Sequence, residues 1–457
     1  MVTNERPKTK EEKLLEDYCL HMADLVLQGL EEHVGIRPQI GGQRGHYIPS
    51  VRNSSRVLVI KLSQLHPTFS RKITGHQNEL GQWAGLSDRD AQIRIGWVGK
   101  NIILQVPKAR RHWHMVTIAH LAERHAFRRG HRVALGLDAL EDRPVRIDFN
   151  QPDLAHISIS GQTRSGKTTA QRLIAWDLCA HSDQSETGLI IFDIAKKGYK
   201  WGDFGQVAQL MHPIVTDLTE GDRVLAWLIT EIDRRARLNK SDWGPRIFCF
   251  IDELKALVDD STIARTYIAR LASVSGEFNI HLVLATQYPQ IQMLGDPALK
   301  RNITTRIVGK VDDAKAAENA TGRAGSGAER LLGFGDMLLL RDEFTRFTAA
   351  NIDASPRYVA ELERGPGRYL ALPDLQNAQG TEIASVKLPE SAGPGRQMEP
   401  ITGEMIGRGL LALPPMGDRK LSQELHIGSG RAQRLNQLLR EIRGYAERES
   451  LKCIKFE

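Results

Sequence analysis

Residues Gly161-Gln162-Thr163-Arg164-Ser165-Gly166-Lys167-Thr168 satisfy the pattern G-x-x-x-x-G-K-[ST] without a mismatch. The glycines let such a loop wrap so that backbone N–H groups and the dipole of the following helix face phosphate oxygens. The lysine reaches the β and γ phosphates, and the last hydroxyl ligates Mg²⁺. The pattern therefore assigns Gly161 to Thr169 to a nucleotide site, with Lys167 on the phosphates and Thr168 on the metal. An apolar run, His156 to Ser160, precedes the loop and a helical segment, Thr168 to Cys179, follows it, which is the context the pattern needs. A glycine-rich structural turn is the bland alternative.

Hydrolysis at such a loop also needs carboxylates at a strand end. The apolar run Ile247 to Ile251 ends in Asp252 and Glu253, 85 residues after Lys167. Asp252 is expected to position Mg²⁺ together with Thr168, and Glu253 to polarise the attacking water. A third run, His281 to Ala285, ends in Thr286 and Gln287. Gln287 can sense the γ phosphate or the attacking water; a plain polar strand end reads equally well.

These sites sit in a stretch, Val133 to about Leu375, where short apolar strands alternate with helical segments: His156 to Ser160, Gly188 to Asp193, Ile247 to Asp252, His281 to Ala285 and Ile303 to Val308. Alternation of that kind predicts a mainly parallel α/β sheet. Upstream, Glu11 to Glu32 has the spacing of an amphipathic helix. Strands near Val57 to Leu62, a helix over Phe69 to Trp83, and strands Ala91 to Trp97 and Asn101 to Val106 make a small α+β unit. Downstream, 376–400 mixes Gly, Ser, Pro and charge as a linker does, and 401–457 carries short helical patterns. The expected division is 1–45 (helical segment), 46–130 (small α+β domain), 131–375 (the α/β core), 376–400 (linker) and 401–457 (a compact terminal unit).

Composition narrows the class. The 457 residues hold 62 Lys and Arg against 55 Asp and Glu, a net charge of +7 that permits a nucleic acid partner without requiring one. With 41% hydrophobic and 26% charged residues, wholesale disorder and a fibrous architecture are excluded. Apolar runs such as Leu189 to Phe192 fall far short of the ~20 residues of a membrane span, and the charged first residues do not resemble a secretory signal. A cytoplasmic protein without intrinsic membrane insertion is the expectation. Cys19, Cys179, Cys249 and Cys453 show neither CxxC nor metal-ligand spacing, which argues against disulfides and zinc. The most basic stretch, Lys108 to Arg132, has seven Lys or Arg against Glu123 alone; phosphate contact and a solvated connector are equally good readings. Its interspersed histidines lack an H-E-x-x-H arrangement.

Near the end, Leu421 to Leu425, a turn at Gly428 to Gly430 and an Arg-rich amphipathic helix make a helix-turn-helix pattern. Arg431, Gln433, Arg434 and Gln437 are its candidate DNA contacts, arginine for guanine or phosphate and glutamine for adenine. A small interaction domain with a solvated helix is the competing reading.

Taken in order, these blocks resemble the FtsK/SpoIIIE family of DNA-pumping ATPases. The segments that carry the likeness are Val133 to Asp148, the glycine-rich loop, Phe192-Asp193 with Lys196 and Lys197, Pro213 to Asp217, Glu231 to Leu238, Asn279 to Gln287, Asn302 to Ile307 and, most specifically after the loop, Gly327 to Leu338. Arg56 to Lys108 is similar to the family's small α domain, and 421–435 to its terminal winged helix-turn-helix, so the likeness spans about four-fifths of the chain. The resemblance implies a RecA-like P-loop ATPase core flanked by these two domains, ATP and Mg²⁺ as cofactors, double-stranded DNA as partner and a homohexameric ring. It further implies Lys167, Asp252, Glu253 and Gln287 as catalytic residues and translocation of DNA as the activity, placed more easily in plasmid, phage or mobile-element transfer than at a septum. A separate membrane-anchor or transfer-machinery partner fits that picture. An ATP-switched DNA-binding replication or partition factor is the alternative, because two positions depart from the family: Gly276 stands where an arginine reaches the neighbouring subunit's nucleotide, and Ala314 where a lysine is expected. Arg270, Arg301 and Lys315 are the candidate substitutes.

Overall fold

Thr9 opens the first helix. Its hydroxyl accepts the Glu12 N–H at 3.2 Å while the Glu12 carboxylate accepts the Thr9 N–H at 2.7 Å, a reciprocal cap that satisfies two otherwise orphaned donors. The computed structural model describes residues 9–39, 44–86, 93–287, 302–341, 343–365, 370 and 372. It divides the chain into units 1–379 and 380–457. The terminal unit, with Arg431, Gln433, Arg434 and Gln437, and the linker over 376–400 lie outside the described residues, as does Arg301.

Helix α1 (Lys10–Gly29) buries Met22, Val26 and the following Leu30 in one core with Leu58, Ile60 and Leu104. Those partners come from an antiparallel sheet of β1 (Ile48–Asn53), β2 (Val57–Ser63), β3 (Arg94–Val98) and β4 (Asn101–Pro107), in the order β1-β2-β4-β3. Between β2 and β3, one helix is expected over 69–83, but the chain forms two, α2 (Phe69–Gly75) and α3 (Gln77–Trp83), because His76 sits at φ −106° and ψ 23°, outside the helical basin. A short α4 (Ile118–Glu123) lies in the basic connector. That connector is partly structural: Lys108 is buried, its ammonium donating to Asn53 Oδ1 and the Ser54 carbonyl, both at 2.7 Å, and burial pulls its pKa down to about 8.

The main sheet has nine strands: β5 (Arg132–Asp138), β6 (Pro144–Asp148), β7 (Ile157–Ser160), β8 (Thr187–Phe192), β9 (Arg246–Ile251), β10 (Ile280–Thr286), β11 (Thr305–Val308), β12 (Asp336–Leu340) and β13 (Phe344–Ala349), ordered β6-β5-β13-β12-β11-β7-β10-β9-β8. The half from β11 to β8 is parallel. The other half is antiparallel, so the sheet is mixed rather than mainly parallel. The difference arises because short connections join β12 to β13 and β5 to β6, and two strands joined so closely must run in opposite directions.

Helices cover both faces of the parallel half. On one, α5 (Lys167–Ala180) packs Leu173, Ile174 and Leu178 against Ile159, Ile191, Phe250 and Val283. On the other, α6 (Leu218–Ala236) and α8 (Thr262–Val274), with the short α7 (Leu254–Val258) between them in sequence, pack Val224, Leu228, Ile268 and Leu271 against Ile190, Cys249, Ile251 and Leu284. Neighbouring residues of each strand thus point into different cores, which is why these strands read as unbroken apolar runs. Helices α9 (Ala314–Thr321) and α10 (Arg357–Ala360) complete the unit. This is a mixed α/β fold, with helices on both faces of the parallel half of its sheet.

Buried charge ties the small sheet to the main one. Arg346 grips Asp336 with two hydrogen bonds at 2.9 and 2.7 Å and reaches Gln105 of β4 at 2.7 Å. Burial alone would raise the Asp336 carboxyl, but Arg346 and its hydrogen bonds outweigh that and hold it below the ordinary value.

Two buried histidines, His156 and His281, and the half-buried His131 set an acid limit on this fold. Burial depresses His131 and His156 to about 4, and His281 to about 3, from an ordinary 6.5. Between about pH 6.5 and 4 the unfolded chain therefore binds more protons than the folded one, so stability is complete above that window and lost on acidification through it. The urea midpoint should fall steadily from pH 7 to pH 5, each ring contributing a slope of up to about 1.4 kcal/mol per pH unit. A flat midpoint over that range would contradict the burial of these rings as neutral groups.

Candidate functional site

Strand register brings the three motifs together. Thr286 of β10 pairs with Ser160 of β7, and Leu284 pairs with Ile251 of β9. Gly161, Asp252 with Glu253, and Gln287 therefore leave the sheet side by side at the carboxyl ends of parallel strands, where α/β sheets place ligands.

The loop is built to wrap. Gly161 and Gly166 have φ of 146° and 103°, values that side chains disfavour, and Arg164 adopts a left-handed φ of 66°. Gln162 N–H donates to the Lys310 carbonyl at 2.8 Å, and Gly335 N–H to the Ser165 carbonyl at 2.8 Å, so the loop is pinned from outside while α5 begins at Lys167. Beneath it the buried Gln171 donates to the carbonyls of Ile251 and Val283 at 3.1 and 2.9 Å, locking the helix to both neighbouring strands. Lys167 Nζ bonds the Gly161 and Gln162 carbonyls at 2.8 and 3.0 Å. Burial pulls the Lys167 pKa down while Glu253 and Asp252 oppose it.

Thr168 Oγ1 donates to Asp252, 3.1 and 3.2 Å from its two carboxylate oxygens. Glu253 stands at φ 65° and ψ 72°, a conformation costing of order 1–3 kcal/mol for a residue with a side chain. It turns the chain so that Asp252 and Glu253 face the loop from one strand end. Gln287 joins the two sides, its side-chain oxygen accepting from Thr163 Oγ1 at 3.1 Å and its backbone N–H donating to Glu253 Oε1 at 3.4 Å. Thr169, the last of the loop residues, bonds Asp353 at 2.7 Å, and Asp353 pairs with Arg172, which also grips Asp203.

Two site residues carry no chemical role in the sequence reading. Lys196, in the turn after β8, places its ammonium 2.6 Å from Asp252 Oδ2 and 3.4 Å from Thr168 Oγ1. Asp193, at the end of the same strand, is buried with Oδ1 lacking a hydrogen-bond partner, and burial followed by the Asp252 charge pushes its carboxyl upward. The signal was visible as Asp193 and Lys196 beyond an apolar strand; its meaning depends on β8 lying beside β9.

This oxygen-rich set fits a hard divalent cation. Thr168 and Asp252 converge on one spot, a second carboxylate sits behind them, and a lysine ammonium is already drawn there. Mg²⁺ held by Thr168 and Asp252 would neutralise phosphate charge. The protein's own groups are placed for the rest: Lys167 would exchange its loop carbonyls for phosphate oxygens, Glu253 would orient and polarise a water, and Gln287 bridges Thr163 and Glu253.

The positions expected to hold a trans-acting cation are different. A side chain at Gly276 would begin 2.5 Å from the Ala155 Cβ, so the site of the expected arginine is filled by the neighbouring loop. Ala314 opens α9, and Lys315 beside it pairs with Glu318 at 2.9 Å on the surface. Arg270 reaches Asp233 at 3.4 Å from α8.

Residues 116–242 match the FtsK/SpoIIIE family. The chain carries an FtsK/SpoIIIE family domain. The FtsK/SpoIIIE match holds the phosphate loop, Asp193 and Lys196 and stops ten residues before Asp252. The chain is 30% identical over 282 residues to DNA translocase SftA of Bacillus subtilis strain 168, covering 56% of this chain and 28% of that protein. It is 27% identical over 319 residues to DNA translocase FtsK of Caldanaerobacter subterraneus subsp. tengcongensis, covering 64% and 42%. The chain thus spans well under half the length of these curated relatives. Among solved structures, the pCW3 conjugation coupling protein TcpA with ATPγS aligns at a TM-score of 0.49 and 18% identity, covering 74% of this chain and 99% of that one. The DNA-packaging ATPase B204 of Sulfolobus turreted icosahedral virus aligns at 0.33 and 18%, covering 44% and 98%. The phosphate loop, the Thr168–Asp252 pair and Glu253 bring together the groups that nucleotide hydrolysis needs. Among the described residues, no helix is long and apolar enough to cross a membrane.

Proposed function

We propose that this protein is an ATP-driven translocase of double-stranded DNA, with a RecA-like core working in a ring, most simply a homohexamer. The observation that carries the reading is the junction of Thr163, Gln287 and Glu253, which ties the phosphate loop to the hydrolytic carboxylate through a neighbouring strand end. Mg²⁺-ATP is the fuel, and translocation follows when that junction changes with each phosphate released. The C-terminal pattern at Arg431, Gln433, Arg434 and Gln437 supplies DNA contacts that load the motor, and the proposed setting is cytoplasmic movement of plasmid, phage or mobile-element DNA with a transfer or membrane-anchor partner. Displacement of a third strand from a DNA triplex tests the translocation step: ATP-dependent displacement supports it, and DNA binding without displacement counts against it.

A second reading, an ATP-switched DNA-binding factor with slow hydrolysis, is favoured by one observation. The closed space at Gly276 leaves no room for the arginine that would stabilise a neighbour's transition state, and such a residue contributes roughly 10³–10⁵ in rate where present.

A further inference from the structure

Phe334 belongs to the Gly327–Leu338 block, which the chemistry above does not use. It is 51% exposed, unusual for so large an apolar ring, and its backbone is held at a left-handed φ of 53°. The phosphate loop itself does the holding: Phe334 N–H donates to the Arg164 carbonyl at 3.2 Å, and Gly335 N–H to the Ser165 carbonyl at 2.8 Å. Its carbonyl accepts from Arg56, which comes from the small sheet.

The ring stands in a cleft of about 600 Å³ lined also by Arg164, Gly166, Thr169, Trp113 and Asn351. Trp113 lies edge-on to Phe334, 6.4 Å between centroids, and the Arg110 guanidinium sits over both rings at 5.8 and 5.3 Å. Flat apolar rings beside a stacked guanidinium are the surface that holds a nucleobase. Asn351 supplies a polar edge, its amide N–H meeting the Met115 thioether, a weak acceptor, at 3.4 Å. Position agrees with chemistry: Arg164, Gly166 and Thr169 of the phosphate loop line this cleft, so a nucleoside whose phosphates sit on the loop has the cleft beside it.

We propose that this cleft is the base subsite of the bound nucleotide, a purine stacking on the exposed face of Phe334, with Trp113 edge-on to that ring and Arg110 beside it. The proposal rests on the nucleotide reading of the loop and adds which residues hold the base. Because Arg56, Arg110 and Trp113 belong to the small sheet and its connector, an occupied base subsite also braces that sheet against the ATPase core.

Calorimetric titration of the full chain with two ligands, Mg²⁺-ATPγS and Mg²⁺-tripolyphosphate, tests it, since the second has phosphates and no base. Phe334→Ala should weaken ATPγS binding by about ten-fold or more and leave tripolyphosphate affinity unchanged, which also shows the variant is folded. Phe334→Leu, keeping bulk without a π face, should weaken ATPγS in the same direction, and Phe334→Tyr should restore it. Equal loss for both ligands, or no loss for either, would overturn the base subsite while leaving the phosphate site standing. Failure of the unmutated chain to bind either ligand would overturn the nucleotide reading and this proposal with it.

Discussion

Lys167→Ala is expected to reduce ATP turnover by at least a factor of roughly 10²–10³, the cost of removing one preorganised charge from a phosphoryl-transfer site. The structure explains why the loss should be clean. Among the described residues Lys167 Nζ bonds two carbonyls of its own loop, whereas the loop's position is fixed by Gln171, Lys310 and Gly335. The thermal midpoint of the variant should therefore stay close to that of the unmutated chain. A steady-state assay beside a melting curve checks both halves, and a large drop in stability together with activity would place Lys167 in the framework of the fold.

Glu253→Gln should separate binding from chemistry. The amide keeps the size of the carboxylate and can still accept the Gln287 N–H, but it cannot polarise water, which for a positioned base contributes typically 10²–10⁴ in rate. ATP should bind with nearly unchanged affinity and be hydrolysed slower by about that factor. Thr168 and Asp252 are untouched, so Mg²⁺ dependence of binding should persist. Comparing single-turnover hydrolysis with ATPγS affinity reads the two effects apart; parallel loss of both would mean Glu253 serves the shape of the site, and its left-handed backbone would then be the feature to examine.

Much of this site was legible because its residues are contiguous in sequence. The glycine-rich loop carries its own geometry, and β7, β9 and β10 announce themselves as apolar runs ending in polar side chains. What escaped was set by register and by charge pairing across long separations. Lys196 reaches Asp252 only because β8 lies beside β9. Asp353 joins Thr169 and Arg172 from more than 180 positions away. The β12–β13 hairpin was hidden for another reason: the start of β12 read as the end of the Gly327–Leu338 block, β13 was given no strand, and the antiparallel pairing with β5 and β11 is a tertiary choice. In the same way, the place of α1 is fixed by the apolar face it shares with β2 and β4, which helical spacing alone cannot reveal.

Coupling between the nucleotide site and DNA is read by ATP hydrolysis of the purified protein with and without long linear duplex DNA. Lys167→Ala serves as the blank. A motor should be stimulated many-fold by duplex, with no stimulation in the variant and with the closed Gly276 position compensated by another cation of the ring. Tight binding of ATP and DNA with little turnover in either condition would contradict a motor and leave a nucleotide-controlled DNA switch in its place.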